Sequence, residues 1–508
     1  MNRTTITTGH RRWRRMGTAA FCIAGAAPAR VLTRRYSADA VKLHTPMRGR
    51  RAVCALMALT LGQFLWAAGA RAQVRHTIIA ATGDAAPAGG NYAFFNIVTS
   101  NVRGEVAFDA ALGGPSSSGV FVSRGLTSST IALGNPDPAA GDFLFVFNPS
   151  ITAQGDVIFD ADFTAIVRSD GRKTVPLVQN GDAAPSGGSL ILNGDHAANS
   201  RGSVAYGATV TGGVSTQGIF RNDGTQTVAI ADDSSLAPSG GTFNFFGSPV
   251  INQDGQVAFF AGTTGPADFG VYSGDGVNTT TIFAANQSAP GGGAFVDFSS
   301  PLINTHGQVL ALALLDGTSR SGLFLGDGTD AVAVALGGHQ APTGGNFATF
   351  FGPLTLNDHG QTAFEVFLTG GTSRSGIFRG DGDTTTPIAL QGTAAAGTTG
   401  TFDAFEDLKI GKDGRVAFIA RLTLGVGGVD LSNNRGIWVG TSDTDLHLVV
   451  RSGQMIGGKT LTRPASLGPL GTNQRPVVWL GGFSGRSTAI VSSDLDNASD
   501  AADREDGA

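Results

Sequence analysis

Asn252-Gln253-Asp254-Gly255-Gln256-Val257-Ala258-Phe259 is one of eight versions of a single segment. Close copies run 101–108, 199–206 and 357–364. Looser ones run 152–159, 304–311, 411–418 and 472–479. The valine slot falls at positions 106, 157, 204, 257, 309, 362, 416 and 477, a period of 47 to 61 residues. Repetition on that scale marks a solenoid, an array or a propeller. Within the segment, Val257 and Phe259 project to one side of a strand and Ala258 to the other. Each strand therefore has a bulky face and a shallow one, suited to stacking against its own repeat.

Two more elements recur around it. Gly270-Val271-Tyr272, Gly322-Leu323-Phe324 and their counterparts follow each copy. Thr77–Ala80 and Val228–Ala231 typify an apolar run that precedes it. That run leads into a loop such as Gly83–Gly90 or Gly181–Gly188, then an aromatic stretch such as Phe243–Phe246 or Phe347–Phe350. Each unit thus holds four short strands, d, a, b and c in chain order, divided by turn residues. Asp-Gly pairs at the a–b turn (Asp254-Gly255, Asp413-Gly414) and the c–d turn (Asp223-Gly224, Asp275-Gly276, Asp327-Gly328, Asp381-Gly382) predict type I′ hairpins.

Four strands in ~50 residues, repeated, specify an all-β β-propeller. Eight copies give eight four-stranded blades. A seven-bladed ring with an irregular C-terminal element is the alternative, because the last b strand is degenerate. The chain opens on a d strand (Thr77–Ala80) and closes on a c strand (Thr488–Ser492). The N-terminal strand is therefore expected to pair with the last blade and remove its open edge.

Composition agrees. Glycine supplies 75 of 508 residues, 15% are charged and 41% hydrophobic. That balance excludes a disordered chain, and such glycine content disfavours helices. The net charge of −4 divides unevenly: residues 1–72 hold 13 Lys+Arg and one acid, and the remainder 22 against 38. Arg48, Arg50 and Arg51, the apolar run from Ala52, and Ala70-Arg71-Ala72 read as a signal peptide over 47–72 cleaved after Ala72. Residues 1–46 read as an annotation extension or a long leader. Both cysteines, Cys22 and Cys54, precede the cleavage point. The exported chain, secreted or periplasmic, is acidic. That argues against nucleic acid as a partner, since phosphate binding needs clustered cations. No membrane contact is expected once the leader is removed. Residues 73–493 form the propeller, and 494–508 an acidic disordered tail.

The Asn-x-x-Gly-x-x-Ala-Phe units resemble the NxxGxxAF tandem-repeat family of exported bacterial proteins. Asn101, Gly104, Ala107 and Phe108 match that pattern, as do Asn252, Gly255, Ala258 and Phe259. The resemblance spans about residues 74–493 and implies no activity, the family's function being uncharacterised. Other members often carry a C-terminal sorting or anchoring tail; residues 494–508 hold six acids and one arginine, so anchoring through that end is not expected.

Several motifs look chemical. Gly453–Thr460 matches the phosphate-loop pattern, but no helix start follows, so no nucleotide is expected. Asp494, Asp496, Asp500 and Glu505 have calcium-loop spacing without its glycine. His306 and His359 occupy turn slots, and Trp438 and Trp479 stand in phenylalanine slots of the core. No catalytic set, cofactor site or metal site is expected. The d–a and b–c loops share one face of a propeller, and functional residues favour loops on rigid scaffolds. That face is expected to carry Asp84, Asp182 and His339 from the d–a loops. From the b–c loops it is expected to carry Arg320, Arg374 and Arg435. The leading expectation is a non-catalytic binding or scaffold module for a protein or glycan ligand. A hydrolase or lyase at the d–a/b–c face and a purely structural envelope protein are the alternatives.

Overall fold

The computed structural model describes residues 74–135, 143–470 and 476–495. The leader, its cleavage point, both cysteines and residues 496–508 lie outside the described residues. The described chain forms eight antiparallel sheets, each ordered a-b-c-d from the innermost strand outward. They are the blades of an eight-bladed β-propeller. The first comprises Asn91–Ser100, Val106–Gly113, Ser118–Arg124 and Thr127–Gly134. Strand a of the fourth blade is split into Phe243–Phe246 and Val250–Ile251, and that of the fifth into Phe295–Phe298 and Leu302–Ile303.

The eighth blade takes Lys459–Leu467, Val477–Phe483 and Ser487–Leu495 from the end of the chain and Val74–Ala81 from its beginning. Thr77 faces Ser492 and Ile78 faces Val491 across the join. The Trp479 indole N–H donates to Ser493 Oγ at 2.8 Å, and His76 Nδ1 meets the same hydroxyl at 2.8 Å. The last strand continues through Asp494 and Leu495, opposite Arg75 and Val74.

The Asp-Gly turns differ from the type I′ expectation. In each, only glycine takes a positive φ: +86° at Gly255, +89° at Gly224, +95° at Gly328. At the a–b turn, Gly255 N–H returns to Asn252 C=O at 3.2 Å, a tight turn closed by a left-handed glycine. At the c–d turn, the Asp223 carboxylate accepts the N–H of Thr225 and Gln226 at 2.8 and 3.0 Å. Asp275, Asp327 and Asp381 do the same in their blades. The side chain closes a longer loop, so the aspartate never needs a left-handed backbone.

Blades stack large face on small. Val257 and Phe259 pack on Ala205, Ile219 and Ile230 of the preceding blade. Ala258 joins Phe295, Val309 and Phe298 of the following one. Trp438 and Trp479 are fully buried. The repeat's asparagine links one blade to the next. Asn252 Oδ1 accepts from Asp254 N and Gln256 N, and its Nδ2 donates to Asn304 C=O at 3.0 Å, one blade on. Asn304 reaches Asn357, Asn357 reaches Gly411, Asn199 reaches Asn252, and Asn101 reaches Thr152. A Cβ at the turn glycine would meet the preceding blade, as at Gly255, 3.0 Å from Arg221 Nη1. Arg221 donates instead to Gly255 C=O at 2.6 Å.

Candidate functional site

The inner strands are irregular at mid-length. In the first blade Phe95 pairs with Ala110 but Val98 with Phe108, leaving Asn96 and Ile97 bulged. The second blade bulges between Phe147 and Ser150, the third between Leu192 and His196, and the seventh between Phe405 and Leu408. Bulges free backbone N–H groups and re-aim side chains, and they gather at functional rims. Here they turn polar groups out of the innermost strands: Asn96, Asn148, Asn193 and Asp195, Glu406 and Asp407.

Between the first and second blades the surface opens into a cleft of about 450 Å³. Phe94, Phe145, Phe147 and Phe163 form its apolar walls, with Asn96, Asp109 and Ser118 beside them. Phe94, Phe145 and Phe163 are 55%, 44% and 65% exposed, unusual for rings of that size. Phe163 is held there at a cost. Asp162 and Phe163 both adopt left-handed φ, 54° and 57°, each worth roughly 1–2 kcal/mol of strain. The Asp162 carboxylate offsets this by accepting Leu144 N–H and Phe145 N–H at 2.7 and 2.8 Å. The Phe163 ring then lies 4.6 Å from Phe147, centroid to centroid.

Asp109 stands in strand b immediately after the repeat's phenylalanine. Burial pushes its carboxyl above the usual aspartate range, against the pull of Ile97 N–H at 2.7 Å, Asn96 Nδ2 and Asn148 N–H. One blade on, Asp160 holds the same slot. It accepts Asn148 Nδ2 at 3.0 Å and meets His196 Nδ1 of the third blade at 3.1 Å. The His196 and Asp160 side chains are only 2% and 8% exposed. A polar chain thus crosses three blades beneath the cleft, from Asp109 through Asn148 to Asp160 and His196. Of its members Asp109 lines the cleft, while Asp160 and His196 are held out of solvent.

The six residues expected from sequence do not converge. No two of them share a hydrogen bond or an ion pair. Asp84 and Asp182 close their own turns, accepting Ala81 N–H and Gln179 N–H at 2.9 Å. Gln287 and Gln454 do the same in later blades. His339, Arg320 and Arg374 are exposed on their loops. Arg435 grips Glu406 with Nη1 and Nη2 at 3.2 and 3.1 Å, with Arg421 3.7 Å away. His306 and His359 are turn residues whose N–H groups are held by Asn304 and Asn357. Gly453–Thr460 folds as a hairpin, Met455 opposite Thr460 and Ile456 opposite Lys459. The cleft residues escaped the sequence reading because its signals were loops and charge. Asn96 and Asn148 do interrupt their aromatic stretches, but the seventh blade bulges at Glu406 and Asp407 with no such residue, so the sequence carries no uniform mark of the bulge.

The model of a family of unknown function, DUF7453, matches residues 57–320 and 312–461. No curated protein matches the chain in sequence. Among solved structures, a puromycin hydrolase is 14% identical with a TM-score of 0.40, over 77% of this chain and 58% of its own. A puromycin-hydrolyzing peptidase from Mycobacterium tuberculosis shows 14% identity and a TM-score of 0.40, over 77% and 59%. The Dos1 propeller is 10% identical with a TM-score of 0.39, over 82% and 94%. The chain spans less than two thirds of the length of the first two.

Proposed function

The chain belongs to DUF7453, a family of unknown function, and we propose that it is an exported, non-catalytic binding module whose ligand is a glycan. The ligand occupies the cleft between the first two blades. The observation that carries this is the set of exposed phenylalanines, Phe94, Phe145 and Phe163, around a polar wall of Asn96, Asp109 and Ser118. A sugar ring offers an apolar face to an aromatic ring and hydroxyl groups at its edge. Sites of this kind join apolar walls to a few placed polar groups. The leader delivers the chain to the periplasm or beyond, where such ligands are met, and the NxxGxxAF units are the frame that holds the cleft. The predicted loop residues Asp84, Asp182, His339, Arg320, Arg374 and Arg435 are left as rim.

The hydrolase or lyase reading draws on one observation, the buried Asp160–His196 pair beside the same cleft. The test is a glycan and peptide array probed with the purified chain, followed by calorimetry on the glycans retained. Phe94→Ala and Phe163→Ala should each weaken binding by about tenfold or more with an unchanged melting temperature. Retention of peptides only would overturn the glycan reading. Turnover of a retained glycan, abolished by His196→Asn, would overturn the non-catalytic one. Absence of binding throughout would leave a structural protein.

A further inference from the structure

We propose that a second, separate site lies on the sixth blade, facing the seventh, where Glu365 receives the ammonium group of an organic amine against the paired rings of Phe351 and Phe367. Glu365 holds in strand Thr362–Thr369 the slot that Asp109 and Asp160 hold in theirs. Those two are tied by strand-a groups of their own and the next blade. Glu365 is 4% exposed and makes no hydrogen bond or ion pair among the described residues. Its carboxylate keeps only a slight contact with solvent, and a carboxylate so enclosed without a protein partner is costly and rare. Leu312 and Ile419 fill the slot in the flanking blades, so packing alone does not call for an acid here.

The surroundings have the chemistry of a cation site. Phe351 lies directly opposite Glu365 on the neighbouring strand, so both side chains share one face of the blade. Phe367, two residues on, points the same way and is 47% exposed. The two rings stack 3.9 Å apart, centroid to centroid, 19° from parallel. Gly352, at φ +75°, leaves the space beside the carboxylate open, since a Cβ there would come within 3.1 Å of Oε2. Ile377, across from Glu365 on the other side, is apolar and joins the seventh-blade core. A carboxylate beside an aromatic face is how ammonium groups are recognised.

Among the described residues no charged group pairs with Glu365. On the facing strand Phe402–Ile410, Glu406 is bound to Arg435 and Arg421, and Asp407 to Lys409 and Leu467 N–H. Burial alone pushes the Glu365 carboxyl up to about 7. An amine would supply the missing counter-charge and draw the proton off.

The test is calorimetric titration of the whole chain with n-butylammonium, with n-butanol as the neutral isostere. Saturable amine binding is expected at about pH 8, at least ~tenfold tighter than the alcohol. It should weaken ~tenfold by about pH 6, as the carboxyl takes up its proton. Glu365→Gln should abolish it, and Phe367→Ala should weaken it. Glu365→Leu copies the residue of the preceding blade and should fold normally without binding. Phe163→Ala should bind the amine unchanged, which separates this site from the glycan cleft. No saturable binding by the native chain, retention in Glu365→Gln or Glu365→Leu, or equal affinity for butanol would overturn the proposal.

Discussion

Asp109, Asp160 and Glu365 occupy one slot of the repeat and meet different fates, because the slot looks across to the next blade's inner strand. Where that strand offers the Asn148 N–H, as to Asp109, or His196, as to Asp160, the carboxylate has a cross-blade partner. Where it offers nothing, Glu365 is left without a partner, and burial alone pushes its carboxyl up to about 7. The consequence for stability has a definite sign. Glu365 titrates near 7 when folded and near its ordinary 4.5 when unfolded. The folded state therefore holds the extra proton between those values. Its stabilising contribution is complete below about pH 4.5 and is lost as pH rises through about 7. Relative to Glu365→Gln, the native chain should lose on the order of 3 kcal/mol over that range. Urea unfolding at both ends of the window reads the difference. Parallel pH profiles for the two proteins would refute it.

At the scale of elements, the a–b turn is both hairpin and link. Asn252 holds two N–H groups of its own turn and one carbonyl of the next blade. Asn252→Ala should therefore cost about 2–4 kcal/mol, more than an ordinary turn residue. The second blade has Thr152 in this slot, whose hydroxyl closes its own turn, while the step onward falls to Ala153 N–H and Ser200 C=O. Thr152→Asn should add a side-chain link and raise stability by about 1 kcal/mol. Chemical denaturation of both variants checks the pair of signs. Strands and turns were legible in sequence because alternation, Gly and Asp-Gly are local signals. The type I′ assignment failed because the c–d aspartate acts through its side chain and the a–b turn is held by Asn252 Oδ1, so in both only glycine takes a positive φ. The cleft was not legible. Its bulges depend on cross-strand register, and the exposure of Phe94 or Phe163 depends on how far neighbouring blades diverge. No residue announces either in isolation. Trp438 and Trp479 were readable as core because the repeat frame placed them there.

The whole ring is closed by Val74–Ala81 lying beside Ser487–Leu495. Removing residues 74–81 would expose the edge of Ser487–Leu495 and leave Trp479 without the packing of Ile78. Such an edge pairs with another chain. The truncated protein should elute as dimers or aggregates in size-exclusion chromatography, and a monodisperse monomer would contradict the role given to that strand. The same join sets a clock. His76 and Ser493 touch across 417 positions. At ~5–20 residues made per second, the first strand waits roughly 20–80 s for its partner. Until then it is an unpaired ribbon on a growing row of blades, and the protein remains a line rather than a circle. Its final shape is therefore decided last, when the first strand of the ring meets the last.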